Sequence, residues 1–377
     1  MKVLFIARSS LYRNRGGDTI QILKTAEHLA KSGVGVDIRL TDEEIDYAGY
    51  QLLHFFNLTR PADILKHVKA SSLPYVVSPV FVEYSESDRQ TRKGVAKLFF
   101  RIFPEDGIEY FKVIARLLFN GERIVSPSYL LYGQRRSMTR IIRNASMLLP
   151  NSENEYKRLQ TRFKRSFPYR VIPNAIDPGL FTPAADAPVR EDDLVLCAAR
   201  IEGVKNQLNL IRAVNGSSFR LILIGAPAIN QAAYYEECRQ AAGPAVSFVN
   251  VLSPEELPAY YSRARVHALP SWFETTGLSS LEAAVMGCSI VITDKGDTRE
   301  YFEDHAFYCD PASPASILEA LKRAANGGPS ETLQTKILSQ YTWQHTARKT
   351  LMAYREVLNL RTSDNEGDMP FPTVNNR

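Results

Sequence analysis

Residues 266–287 read VHALPSWFETTGLSSLEAAVMG: an apolar run closed by Pro270, a short polar loop, and a helix-forming stretch that stops at Gly287. Val266, Ala268 and Leu269 suit a buried strand, and Leu278, Leu281, Val285 and Met286 share one side of the helix. A strand–loop–helix unit of this kind builds an open α/β sheet, which gathers ligands at the carboxyl ends of its strands. The loop carries Glu274, Thr275 and Thr276, and Glu282 follows in the first turns of the helix. A helix start at Gly277–Leu278 offers unpaired N–H groups and positive dipole character, an anion site flanked by two carboxylates. Phosphate on the N–H groups and hydroxyls on the carboxylates would describe a ligand that is part phosphate, part polyol. Alone, the pair reads equally well as a helix-start glutamate and a solvated loop glutamate.

The preceding units carry the complementary charge. LVLCAAR (194–200) reads as a strand ending at Arg200, and IEGVKNQLNLIRAV (201–214) as a loop and an amphipathic helix with Lys205 near its start. A guanidinium fork and an ammonium at one sheet edge are suited to clamp a diphosphate and stabilise it as a leaving group. RLILIG (220–225) and VSFVNV (246–251) are further strands.

In order along the chain, GGDTIQILKTAEHLAKSG (16–33), VIPNAID (171–177), AARIEGVKN (198–206) and LPAYYSRARVHALPSWFETTGLSSLEAAVMG (257–287) resemble retaining glycosyltransferases of family 4, bacterial type. The resemblance implies the GT-B architecture: two doubly wound Rossmann-like α/β domains with a cleft between them and a C-terminal helix crossing back onto the first. It implies a donor-binding set of Gly16, Gly17, Asn174, Arg200, Lys205, Glu274, Thr275, Thr276, Gly277, Leu278 and Glu282. Within it, Arg200 and Lys205 would hold the donor diphosphate, Glu274 the sugar hydroxyls and Glu282 the ribose. Arg200, Lys205 and Glu274 would carry catalysis, and the Gly16–Gly17 loop would close over the phosphates from the other domain. The donor would be a nucleoside-diphosphate sugar, UDP- or GDP-linked. The acceptor would be a glycan or lipid-linked molecule, as in cell-surface polysaccharide or glycoconjugate synthesis. No D-x-D motif follows a strand, and Arg200 with Lys205 supplies the positive charge, so neither a metal nor a cofactor is expected.

The chain departs from that family at one point. Many members place a histidine after the strand matching Pro74–Ser78, whereas here Val80 or a close neighbour stands there, followed by Glu83 and Tyr84. His54, at the end of the preceding strand, suits a packed histidine as well as a site residue. A retaining reaction in which the acceptor attacks from the leaving-group face can use the departing phosphate as base, so the missing histidine does not remove the chemistry. Two alternatives remain: a nucleotide-sugar epimerase, which needs further acid–base groups in the cleft, and a non-catalytic nucleotide-sugar-binding protein.

At 377 residues the chain has room for two domains, and 45% hydrophobic residues is a globular composition. The expected divisions are 1–180, a hinge at 181–193, 194–341, a crossover helix at 342–360, and a disordered tail at 361–377. In the first half, strands are expected at Lys2–Ala7, Gly35–Leu40, Leu52–Phe56, Tyr75–Ser78, Ser146–Pro150 and Tyr169–Ile172, with a helix over Thr19–Lys31. No apolar stretch approaches the roughly 20 residues that span a bilayer. The four cysteines lie far apart without metal-ligand spacing, which fits buried thiols in the cytoplasm.

Charge is unevenly distributed. Residues 1–180 hold 28 Lys and Arg against 18 Asp and Glu, and the remainder 18 against 23. Residues 89–143 carry twelve cations against four acids, interleaved with KLFFRIF and FKVIARLLF. Basic residues beside Phe and Leu suit an anionic membrane surface, which would place the protein on the inner face of the cytoplasmic membrane. Domain packing with a solvated face would give the same pattern. No recognised nucleic-acid-binding motif accompanies the charge.

Overall fold

A computed structural model describes residues 1–82, 107, 126–183 and 189–359. The first half builds a parallel sheet of β1 (Lys2–Ala7), β2 (Gly35–Leu40), β3 (Leu52–Phe56), β4 (Tyr75–Ser78) and β5 (Met147–Leu148), in the order β2-β1-β3-β4-β5. Its described helices are α1 (Gly17–Lys31), α2 (Pro61–Ala70), α3 (Ser128–Asn144) and α4 (Glu153–Phe163). The second half builds a parallel sheet of β6 (Glu191–Ala198), β7 (Arg220–Ile224), β8 (Val246–Val249), β9 (Ala264–Leu269), β10 (Ser289–Thr293) and β11 (Phe307–Cys309), in the order β11-β10-β9-β6-β7-β8. Helices α5 (Gln207–Val214), α6 (Ala232–Ala241), α7 (Leu257–Arg263), α8 (Leu278–Val285), α9 (Thr298–Phe302), α10 (Pro314–Gly327) and α11 (Glu331–Gln340) accompany it. Strands such as KVLFIA, buried from Val3 to Ala7, are apolar over those five residues because helices cover both faces of a parallel sheet.

Several elements differ from the sequence expectation: β5 keeps only Met147–Leu148 of the expected Ser146–Pro150, and α1 begins at Gly17 rather than Thr19. Strand β6 begins at Glu191 rather than Leu194, because Arg220 takes Glu191 at 2.8 Å and Asp193 at 2.6 Å, and Arg263 takes Glu191 at 2.7 Å. These acids of the expected hinge are thus tied to the second sheet. Residues Tyr169–Ile172 form no strand, only a single bridge from Tyr169 to Leu148. Pro150 and Pro173 lack the N–H groups that would extend that pairing. Part of the hinge (184–188), Glu83, Tyr84, the cationic run at 89–125 apart from residue 107, and the tail at 361–377 lie outside the described residues.

The chain passes between domains at two adjacent segments, joined by an isolated bridge between Ile176 and Thr342. Ile176 donates its N–H to the Tyr341 carbonyl at 2.9 Å and accepts from Trp343 at 3.2 Å. Beyond this point α12 (Trp343–Val357), capped by the Thr342 hydroxyl, packs on the first domain. Its Ala347, Ala353 and Tyr354 join the core formed by Val3, Phe5, Ile22 and Leu29. Here His54 finds its role: one ring nitrogen lies 2.6 Å from the Tyr354 hydroxyl and the other 2.8 Å from Ser78 Oγ. It is a packed histidine that pins the crossover helix to β3 and β4.

Burial pushes His54 and His267 down to about 3 and His67 down to about 4. In the unfolded chain these groups protonate near 6.5. Below that value the unfolded state therefore binds more protons than the fold, so stability falls with acid through the window from about 6.5 to about 3. Burial raises Glu155 and Glu282 to about 7, which works in the opposite sense between roughly 4.5 and 7 and masks most of the histidine effect there. Stability is therefore expected to fall gently to about pH 4.5 and steeply below it. Denaturant titrations at pH 6.5, 5 and 4 check this; a uniform slope would contradict it.

Candidate functional site

In the second sheet the chain runs from β6 to β7 on one side, and β9 later adds to the other side of β6. The topological switch, where an open sheet leaves a crevice, therefore lies between β6 and β9. Arg200 and Lys205 follow β6, and Glu274 follows β9, so the fold brings both cations and the carboxylate to one crevice. Lys205 Nζ lies 2.7 Å from Glu274 Oε2, and Ser271 Oγ donates to the same oxygen at 3.1 Å. Glu274 is 8% exposed, and its charge is balanced by Lys205. The half-exposed Arg200 bonds Glu202 at 2.9 Å and reaches Asn14 Oδ1 of the first domain at 3.4 Å.

The first domain has its own switch point between β1 and β3, where the loop carrying Gly16 and Gly17 emerges. A methyl group on Gly16 would stand 3.6 Å from Arg200 Cζ, and one on Gly17 3.6 Å from Leu278 Cδ1. The two switch points thus face each other, and the glycine loop lies over the crevice.

Gly277 caps α8 in the left-handed region at φ 73°, where a Cβ would also press to 3.0 Å on Ile292 Cδ1. Glycine is required there, and the turn sets Glu274 Cγ beside it at 3.5 Å from that Cβ position. Glu282 accepts from the Tyr261 hydroxyl at 3.1 Å; burial outweighs this bond and lifts its carboxyl to about 7. Asn174 donates to Thr276 Oγ1 at 3.2 Å, while its own Oδ1 is buried without a partner. Thr275, half-buried, occupies the same loop. Arg200, Lys205, Glu274, Gly277 and Leu278 thus meet the Gly16–Gly17 loop at one interdomain crevice, with Asn174 tied to its loop through Thr276, whereas Glu282 is set back against the core residue Tyr261. Among the described residues, no group of three or more His, Cys, Asp or Glu side chains converges as a metal centre.

Several residues that build this crevice escape a sequence reading. Arg8 holds Asp18 at 2.7 Å and the Asn14 carbonyl at 2.6 Å, folding the loop before Gly16. Gly296 pairs with Glu274 as an isolated bridge, at φ 98°, with room for no side chain: a Cβ would fall 2.1 Å from the Glu274 carbonyl oxygen. Asp297 next to it donates its N–H to that carbonyl at 2.9 Å. Its carboxylate, fully buried, pairs with Arg158 of α4, one of the two bonds measuring 2.9 Å. Glu300 reaches across to accept the N–H groups of Glu153 and Asn154 at 2.8 and 3.1 Å, capping α4 from the other domain. A sequence signal existed only as the acidic Asp297–Glu300 spacing, whose partners lie more than a hundred residues away. Val80, which the resemblance sets at or beside the missing histidine, adopts φ 46°, a left-handed conformation disfavoured for a β-branched side chain.

Residues 183–337 match the family model of glycosyl transferases group 1. Over 250 residues the chain is 29% identical to the D-inositol 3-phosphate glycosyltransferase of Nocardioides sp., an alignment covering 57% of this chain and 54% of that protein. The chain spans about half the length of most curated relatives it matches. Sucrose-phosphate synthase from Thermosynechococcus elongatus superimposes with a TM-score of 0.74 at 16% identity, covering 96% of this chain and 100% of that one. Anabaena HepE in complex with UDP and glucose gives 0.66 at 14% identity, covering 94% and 99%. The fold is therefore GT-B, and residues of its second half are similar to the glycosyl transferases group 1 model.

Proposed function

We propose that the protein transfers a sugar from a nucleoside-diphosphate donor to an acceptor with retention of configuration. The single observation that carries this reading is the crevice itself, with Lys205 bonded to Glu274 and Arg200 facing the Gly16–Gly17 loop. The two cations would take up the diphosphate, Lys205 exchanging part of its bond to Glu274 for phosphate oxygens. Glu274, so released, would orient the sugar hydroxyls. Glu282, beside Tyr261, would hold the ribose. UDP is the favoured carrier, since HepE is described in complex with UDP and glucose and shares this fold. The similarity to the group 1 model and the glycosyltransferase relatives support a transferase; no observation favours an epimerase or a non-catalytic binding protein.

A thermal-shift panel of nucleoside-diphosphate sugars tests the donor, because a ligand bound only by the fold raises apparent stability. Calorimetry with free UDP then separates the carboxylates. Glu282→Ala is expected to weaken UDP at least tenfold, because a ribose contact is made in ground and transition states alike, while Glu274→Ala leaves it nearly intact. The reverse order would exchange their roles. Turnover is expected to survive EDTA; loss restored by magnesium or manganese would show an acidic metal site.

The acceptor is a glycan or lipid-linked molecule in this reading, and cell-surface polysaccharide or glycoconjugate synthesis is the setting it favours. No described helix is long and apolar enough to cross a membrane. In α3, Leu130 and Leu131 are 41% and 81% exposed, with Arg135, Arg136 and Arg140 also exposed, which supports cytoplasmic membrane-surface contact. Sedimentation with vesicles should rise with anionic lipid and fall with salt; equal recovery on neutral vesicles would remove that contact.

A further inference from the structure

Tyr301 sits in α9 with its ring in the core of the second domain, 1% exposed. A buried tyrosine hydroxyl needs a partner, and one bond would satisfy it. This hydroxyl makes two, and both go to backbone outside the second sheet. It donates to the Asn151 carbonyl at 2.7 Å and accepts the Asn174 N–H at 3.2 Å. Burial raises the phenol well above its ordinary value, so its O–H stays in place as a donor at neutral pH.

Both partners are themselves held. Asn151, which follows β5 of the first domain, gives its N–H to Glu155 at 2.6 Å, and its Oδ1 accepts from Gln21 Nε2 of α1 at 2.8 Å. Asn174 lies between Pro173, whose carbonyl accepts the Thr346 hydroxyl of α12 at 2.8 Å, and Ile176, bridged to Thr342. The Asn174 side chain then donates to Thr276 Oγ1 at 3.2 Å, inside the turn that carries Glu274. Phenylalanine would fill the core as well as tyrosine does. It would leave the Asn151 carbonyl and the Asn174 N–H buried without partners. One hydroxyl therefore joins a fixed point of the first domain to a side chain that braces the Glu274 turn.

We propose that Tyr301 is a positioning residue for sugar transfer: its hydroxyl ties Asn174 to the first domain, so that Asn174 keeps Thr276, and with it the Glu274 turn, in place at the crevice. The proposal rests on the transferase reading for the reaction, and on the hydrogen-bond chain alone for the positioning.

Tyr301→Phe keeps the ring and removes only the hydroxyl. Hydrogen exchange of the full chain, followed by mass spectrometry, reads the turn without any ligand. The N–H groups of Trp272 and Glu274 bond the Val204 and Lys295 carbonyls. In Tyr301→Phe they are expected to exchange about tenfold faster, while β6 and β9 change by less than about twofold. Thr276→Val cuts the same chain at its far end, and the double variant should exchange no faster than the faster single one. Unchanged exchange in the turn, equal acceleration in β6 and β9, or additive acceleration in the double variant would each overturn the proposal. Should Tyr301→Phe not fold by circular dichroism, Gln21→Met replaces it. That change frees Asn151 from the first-domain side, and about threefold acceleration is expected in the same turn; none would overturn the proposal. With UDP-glucose, Tyr301→Phe is expected to lower turnover about tenfold, since a displaced turn misplaces the sugar. Its affinity for UDP should stay within about twofold of wild type. Unchanged turnover would remove the positioning role. Absence of both UDP binding and turnover in wild type would defeat the transferase reading, and the exchange result decides Tyr301 without it.

Discussion

Replacing Lys205 with alanine is expected to lower sugar transfer roughly 10²–10³-fold, about 3–4 kcal/mol of transition-state stabilisation, as removal of a preorganised charge partner does. The size of the effect follows from its position. Lys205 Nζ is 2.7 Å from a Glu274 that is 8% exposed, so alanine both removes a cation from the leaving group and strands a nearly buried carboxylate. Steady-state rates with saturating donor, at a temperature where both proteins are folded, check it. Lys205→Arg keeps the charge but replaces a compact ammonium by a planar fork, and is expected to recover only part of the loss. Unchanged turnover in Lys205→Ala would remove the diphosphate clamp from the account.

The largest effect on stability is expected at Arg158. Its partner Asp297 is fully buried, and removing one member of a buried ion pair leaves an uncompensated charge at a cost of about 3–5 kcal/mol. Arg158→Ala should therefore lower the denaturant midpoint severely, and the double change Arg158→Ala/Asp297→Ala should be less damaging than the single one. Because Asp297 also donates its N–H to the Glu274 carbonyl, the single change should disturb the loop that carries Glu274 as well as the domain contact. A double variant as unstable as the sum of two single variants would mean the pair is not coupled.

Much of the architecture was legible because parallel strands and covering helices leave strong local signals. LLHFF at 52–56 and YVVS at 75–78 are short apolar runs, and both form strands over those residues. Ser152 before Glu153 announces a cap, and its hydroxyl accepts the Glu155 N–H at 2.9 Å. That Arg200, Lys205 and Glu274 would meet was legible for a related reason: all three follow strands, and the sheet places them together where the strand order reverses. What stayed hidden depends on the partner rather than on the segment. Nothing local in Glu300 says that it caps α4, and nothing in Gly296 says that the Glu274 carbonyl occupies the space of its side chain. Glu191 and Asp193 looked like linker acids until Arg220, on the neighbouring strand, drew them into β6. His54, expected at the end of its strand, lies in the middle of β3, and its ambiguity is settled only by the packing of Tyr354.

The central claim is that this crevice transfers a sugar with retention from a nucleoside diphosphate. Proton NMR of the anomeric signals during reaction with UDP-glucose, an α-configured donor, tests it most directly. The account predicts that the α-anomer appears first in the product or released sugar, and that its rate collapses in Lys205→Ala. A β-anomer appearing first, or an α-anomer formed at equal rates by both proteins, would contradict it.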